Sequence, residues 1–124
     1  MKPDIRIRNI LPADNNALAK VIRDTMAEFG VNRPNTVYDD PTTDHLYELF
    51  QKKGAMYNIA EIDGVIAGGA GVYPTDGLPE ATCELVKMYL KPEARGQGLG
   101  RLLIEKCISQ AKELGYKNIY LESM

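Results

Sequence analysis

The residues best placed to do chemistry lie in the stretch 88–103, where an apolar run meets glycines at 96, 98 and 100, bracketed by Arg95 and Arg101. Glycine carries no side chain to cover its backbone, so successive N–H groups here can converge on one anion at the positive end of a following helix. The two guanidinium groups add full charges suited to phosphate oxygens. The chemistry implied is recognition of a phosphorylated ligand, and the spacing narrows which one. A nucleotide P-loop needs Gly-Lys followed by Ser or Thr, whereas Gly100 is followed by Arg101-Leu102. A dinucleotide fingerprint G-x-G-x-x-G fails too, because counting from Gly96 or Gly98 the sixth position is Arg101 or Leu103.

What remains is Arg-x-x-Gly-x-Gly at Arg95, Gly98 and Gly100, preceded by Leu90-Lys91-Pro92. In this loop, the helix behind it and the strand after that helix, the chain resembles the GNAT superfamily of acetyl-CoA-dependent N-acetyltransferases. The signature of that superfamily is Gln/Arg-x-x-Gly-x-Gly/Ala after a strand ending in apolar-x-Pro. The resemblance implies acetyl-CoA as acetyl donor. Its pyrophosphate would lie on the loop of Arg95, Gly96, Gln97, Gly98, Leu99, Gly100 and Arg101, and its pantetheine arm along Met88, Tyr89 and Leu90. Pantetheine amides can pair with strand backbone whatever the side chains are, a strand-addition mode of recognition.

Acetyl transfer to an amine has a proton problem, since an alkylamine with a pKa near 10.4 is neutral only about once in 2,500 molecules at pH 7, a handicap of roughly 4.6 kcal/mol. Glu84 falls where several families of this kind place a strand glutamate as base. Period-2 counting puts it on the same strand face as Met88 and Leu90. Its structural alternative is a strand-end carboxylate paired with Lys87 or a neighbour. The Asp39-Asp40 pair, in an irregular segment that overhangs the acceptor in such folds, is expected to receive a cationic amine; alternatively that segment is a solvated connection. Direct attack by a neutral amine, with main-chain N–H groups near Met88 polarising the carbonyl, needs no covalent intermediate. Cys83 and Cys107 have no His partner placed by a known signature and read as small core residues.

The elements that position these groups follow from periodicity. Residues 5–10 alternate apolar and charged, as a half-buried strand does. Leu18, Val21, Ile22, Met26 and Phe29 recur at helical spacing until Gly30. A short second helix carries Leu46, Leu49 and Phe50, with Thr43 or Asp44 as cap. Asp63-Gly64 joins strands 56–62 and 65–73 as a hairpin. Gly68, Gly69 and Gly71 in the second of these predict a bulge or a close backbone approach. Strand 82–90 feeds the glycine loop, and a helix with Leu99, Leu102, Leu103, Cys107, Ile108, Ala111 and Leu114 on one stripe runs to Gly115 before a strand at 118–122. The order β-α-α-β-β-β-α-β predicts an α/β fold, a mixed sheet flanked by helices.

At 124 residues the chain is expected to be one domain, residues 1–124. A net charge of −2 with scattered Lys and Arg argues against nucleic acid as a partner. Two cysteines and one histidine indicate no metal site, and the lack of a long apolar run indicates no membrane span, so a cytoplasmic protein is expected. Relative to the resembling family, the expectation is a domain incomplete at its C-terminal end, able to form a homodimer through the last strand's edge. The rival to an N-acetyltransferase is a non-catalytic acyl-CoA-binding or regulatory module on the same fold.

Overall fold

The computed structural model describes residues 2–31, 33–34 and 36–121. Five strands lie in chain order in one sheet: β1 (Ile5–Asn9), β2 (Met56–Ile62), β3 (Val65–Tyr73), β4 (Thr82–Leu90) and β5 (Asn118–Tyr120). Each neighbouring pair is antiparallel except β4 and β5, whose parallel pairing follows from the helix that connects them. The Asp63-Gly64 hairpin forms as expected, with φ of 51° and 81° at its two turn residues, the paired positive values that a two-residue turn between right-twisted strands requires. Glu122, the last residue of the expected fifth strand, lies outside the described residues.

One face of the sheet is covered by α1 (Asn15–Glu28) and the short α2 (Leu46–Leu49), the other by α3 (Leu99–Glu113). Leu18, Ile22 and Met26 of α1 pack with Leu46, Phe50, Tyr57 and Ile59; Leu99, Leu103, Cys107 and Ala111 of α3 pack with Ala70, Val72, Cys83 and Leu85. Each fully buried leucine among these stabilises the fold by about 1.5–3 kcal/mol. Both cysteines are buried, and burial pushes the Cys107 thiol up to about 11, which suits a packing role and not a nucleophile. Within the α3 layer, Asn58 and Gln110 exchange two amide hydrogen bonds of 2.8 Å, so these buried polar groups satisfy each other.

The entrance to α2 differs from the expected one. Neither Thr43 nor Asp44 caps α2: Asp40 caps a 3-10 turn at Pro41–Asp44, accepting from the Thr42 N–H at 2.9 Å. The Asp44 carboxylate instead takes a two-pronged contact from Arg23, and the Thr43 hydroxyl donates to the Val37 carbonyl at 2.6 Å. The segment between α1 and α2 is thereby laced to α1.

The β3 glycines do what a close backbone approach requires. A Cβ on Gly69 would stand 2.6 Å from Cε1 of Tyr57, and one on Gly71 2.7 Å from its Cδ2. Their absence lets the Tyr57 ring, rooted on β2, lie flat across β3. At Gly68 a Cβ would come within 1.9 Å of the Tyr89 carbonyl oxygen, so the backbones of β3 and β4 touch there.

Candidate acyl-donor and acceptor site

After β4 a 3-10 turn, Pro92–Ala94, anchors itself through the buried Ala94, and the chain then enters the loop through left-handed conformations at Gly96 (φ 76°) and Gly98 (φ 79°). The Leu102 N–H, bonded to the Gly98 carbonyl at 3.1 Å, closes the first turn of α3. Upstream of it, among the described residues, the backbone N–H groups of Gly96, Gln97, Gly98, Leu99, Gly100 and Arg101 donate to no protein acceptor. Six consecutive free donors at the positive end of a helix of 15 residues form a cradle for an anion. Nothing lies within 4 Å of where a Cβ would stand on Gly96 or Gly98, so side chains there would project into open space at the cradle. Gly100 serves a different end: its Cβ would sit 3.1 Å from Cε of Met88, and its bareness seats α3 on β4.

Both arginine side chains expected to flank the cradle are engaged by carboxylates. The Arg95 N–H donates to the Pro92 carbonyl, so the run of free donors begins one residue later than the spacing suggested. Its guanidinium is occupied as well, bonding both carboxylate oxygens of Glu28 and, through Nε and Nη2, the Leu90 carbonyl at 3.2 and 2.9 Å. Arg95 therefore acts on the loop's shape. Arg101 is exposed and bonds Glu105 one turn along α3 at 2.9 Å, while Gln97 donates back to the Glu93 carbonyl at 2.6 Å.

Below the loop the sheet opens. β5 pairs with Thr82, Cys83 and Glu84 only, so beyond Glu84 that edge of β4 carries no strand among the described residues. On its other edge β4 is bulged: Val86 pairs with Gly71 and Tyr89 with Gly69, leaving Lys87 and Met88 opposite the single residue Ala70. Lys87 takes φ 55°, rare for a residue with a side chain. The bulge overturns the period-2 assignment of Glu84. Cys83 and Leu85 before it and Met88 and Leu90 after it all pack on the α3 side, whereas Val86 and Tyr89 pack on the α1 side. Glu84 thus shares a face with Val86, opposite to Met88 and Leu90.

On the α1 side the ionisable groups gather. The Glu84 Oε1 accepts from the Thr75 hydroxyl at 2.7 Å, and no ion pair with Lys87 forms. Burial pushes the Lys87 ammonium below the ordinary lysine value, partly offset by the charges of Asp40 and Glu84. The hydrogen bond from the Thr42 N–H, its side chain and the Lys87 charge hold Asp40 below the usual carboxylate range. Asp39 and Asp40 border a shallow cleft of about 480 Å³ with Thr36 and Val37. Those two residues also border an apolar cleft of about 380 Å³ that reaches Met26, Phe29, Met88 and Tyr89. The aspartates, the cleft and the bulge therefore adjoin, while the glycine loop lies beyond the end of β4.

Sequence reasoning missed Glu28, Tyr57 and the place of the bulge, which the β3 glycines predict and whose extra residue falls at Lys87 on β4. Only the last two left a signal: glycines at 69 and 71 in an otherwise apolar strand imply that something bulky crosses it, and Tyr57 on the neighbouring strand is large enough. Among the described residues no group of three His, Cys, Asp or Glu side chains could hold a metal, and no helix is long and apolar enough to cross a membrane.

Five strands in this order, a bulge in β4 and a glycine loop of free N–H groups after it define an acyl-CoA acyltransferase fold. The family model for acetyltransferases (GNAT) matches residues 18–124. An uncharacterized N-acetyltransferase of Escherichia coli, YjgM, is 40% identical over 119 residues, 94% of this chain and 71% of that protein. One from Schizosaccharomyces pombe is 29% identical, over 100% of this chain and 76% of that protein. A Staphylococcus aureus acetyltransferase structure superposes with a TM-score of 0.83 at 22% identity, covering 98% of this chain and 74% of that one. An acetyltransferase from Clostridium acetobutylicum, crystallised with acetyl-CoA, does so at 0.78 and 21%, covering 97% and 81%. The chain belongs to the acetyltransferase (GNAT) family, whose acyl donor is acetyl-CoA.

Proposed function

We propose that this protein transfers the acetyl group of acetyl-CoA to a primary amine by direct attack of the neutral amine on the thioester. The observation that carries the reading is the run of six N–H groups at residues 96–101, free among the described residues, standing beyond the β4 strand. A diphosphate matches that donor set, and the bare Gly96 and Gly98 leave it room. When bound, the donor supplies an acetyl group activated as a thioester.

The residues then divide the work. Backbone of Met88, Tyr89 and Leu90 holds the amide-bearing arm as an added strand. N–H groups at the bulge polarise the carbonyl. Glu84, oriented by Thr75, accepts the amine proton directly or through a water. Asp39 and Asp40 attract the ammonium form to the cleft mouth, with Asp40 also restraining Lys87. Self-association along the outer edge of β5 belongs to the same reading, and light scattering tests it.

The deciding experiment is incubation with acetyl-CoA and a panel of amines, read by thiol release, beside a thermal-shift series with acetyl-CoA, ATP and NAD. Stabilisation confined to acetyl-CoA, about 2.7 kcal/mol at a hundredfold excess over the Kd, together with amine-dependent thiol release, is expected. Stabilisation without release for any amine would leave a binding module; a shift with ATP or NAD alone would refute the donor.

A further inference from the structure

We infer that Tyr57 is a positioning residue for acetyl transfer: its hydroxyl, reaching across β3 through the gap left by Gly69 and Gly71, holds the Lys87 carbonyl and thereby aims the Met88 N–H at the donor thioester. The inference rests on the reading above, in which the β4 bulge polarises that group.

Tyr57 is buried, and its hydroxyl donates to the Lys87 oxygen at 2.8 Å. The Lys87 carbonyl and the Met88 N–H belong to one planar trans peptide and point in opposite directions. Whatever grips the oxygen therefore sets the direction of the hydrogen. Tyr57 comes from β2, on the β3 side of β4, so the Met88 N–H is turned away from β3 and toward the opposite edge, where no strand pairs beyond Glu84 among the described residues. A lysine at φ 55° does not hold such a conformation by its own preference and needs its surroundings to impose it.

Several features of the sequence serve this one contact. Gly69 and Gly71 are bare where a Cβ would collide with the tyrosine ring, and Phe50 backs the ring with centroids 4.9 Å apart. Burial also raises the phenol pKa well above its ordinary value, so the hydroxyl stays protonated near neutral pH. A tyrosine needed only to fill the core would be matched by phenylalanine; this hydroxyl is bonded to the carbonyl at the bulge.

The test is Tyr57→Phe in the full chain, with calorimetric binding of acetyl-CoA and of CoA measured separately. CoA lacks the acetyl carbonyl but shares everything else. CoA affinity is expected to stay within twofold of the wild type, while acetyl-CoA affinity falls about threefold to tenfold and kcat with any accepted amine falls at least tenfold at unchanged amine KM. Ile22→Val, in the same core cluster and clear of the bulge, controls for a general loss of stability and is expected to leave both affinities unchanged. Equal weakening of both ligands in Tyr57→Phe, or no change in either, would overturn the inference while leaving the proposed function standing. A wild type that binds neither ligand would overturn both.

Discussion

Glu28 and Arg95 form a two-pronged ion pair, Nη1 to Oε2 at 2.8 Å and Nη2 to Oε1 at 2.9 Å, that ties the last turn of α1 to the start of the glycine loop. The guanidinium also lies over the Phe29 ring, 5.2 Å from its centroid, and grips the end of β4 through the Leu90 carbonyl. Three elements thus meet on one planar group, and a lysine could not reproduce the geometry.

Arg95→Lys keeps the charge and loses the fork. Both partners are about one-third exposed, so solvent and salt screen their attraction and its removal is expected to move Tm little. The loop loses its anchor, and Kd for acetyl-CoA is expected to rise about tenfold. Calorimetry with thermal melts separates the two effects; a large Tm drop with unchanged Kd would refute this division.

Gly98 and Gly77 both sit in left-handed conformations with open space where a Cβ would go, at φ 79° and 89°. Alanine at either is therefore expected to cost about 1–2 kcal/mol of stability. Only at Gly98 does the new methyl enter the cradle, so Gly98→Ala should weaken acetyl-CoA binding while Gly77→Ala leaves it intact, and Gly98→Asp should abolish it by setting a carboxylate against phosphate. Thermal denaturation and titration on the three variants check this.

Glu84→Gln keeps the shape and removes the proposed base. Turnover is expected to fall by about 10² or more with acetyl-CoA affinity unchanged. Thr75→Val, which removes the 2.7 Å hydrogen bond that orients the carboxylate, is expected to lower kcat by about threefold to tenfold. An unaltered pH–rate profile in Glu84→Gln would return this residue to a structural role.

Stability should also report the Arg8–Asp14 pair. Although burial alone would push the Asp14 carboxyl up, two Arg8 bonds of 2.8 and 2.9 Å and the Leu11 N–H hold it below the ordinary value. Its folded pKa being lower than its unfolded one, the contribution is complete above about pH 4 and is lost as the pH falls through the folded pKa. Asp14→Asn is expected to cost about 2 kcal/mol near neutrality and to flatten the acid limb of a urea-denaturation series against pH.

Much of the architecture was legible because local chemistry dictates it. Asp63-Gly64 admits little but a tight hairpin, Gly30 and Gly115 stop the two long helices, and glycines at 96, 98 and 100 before an amphipathic run point to unpaired N–H groups at a helix start. The errors share a cause. Val86, Met88, Tyr89 and Leu90 are all apolar, so β4 carries no alternation from which a change of face at Lys87 could be read, and Glu84 was placed on the wrong one. Arg95 is expected at phosphate, and its tie to Glu28 goes unread because the two stand 67 positions apart and nothing local announces the pairing.

The Asn58–Gln110 exchange sets an angle as well as a contact. Apolar packing of Leu103, Cys107 and Ala111 would tolerate a helix rolling or sliding on the sheet, since such contacts have no direction. The amide pair does not: a shift of one residue turns Gln110 by about 100°, breaks both bonds and strands two amides in the core, at about 1–3 kcal/mol each. The pair therefore works as an angular index for α3, and because the first turn of α3 carries the free N–H groups, their compass bearing is set about three turns away, deep in the core.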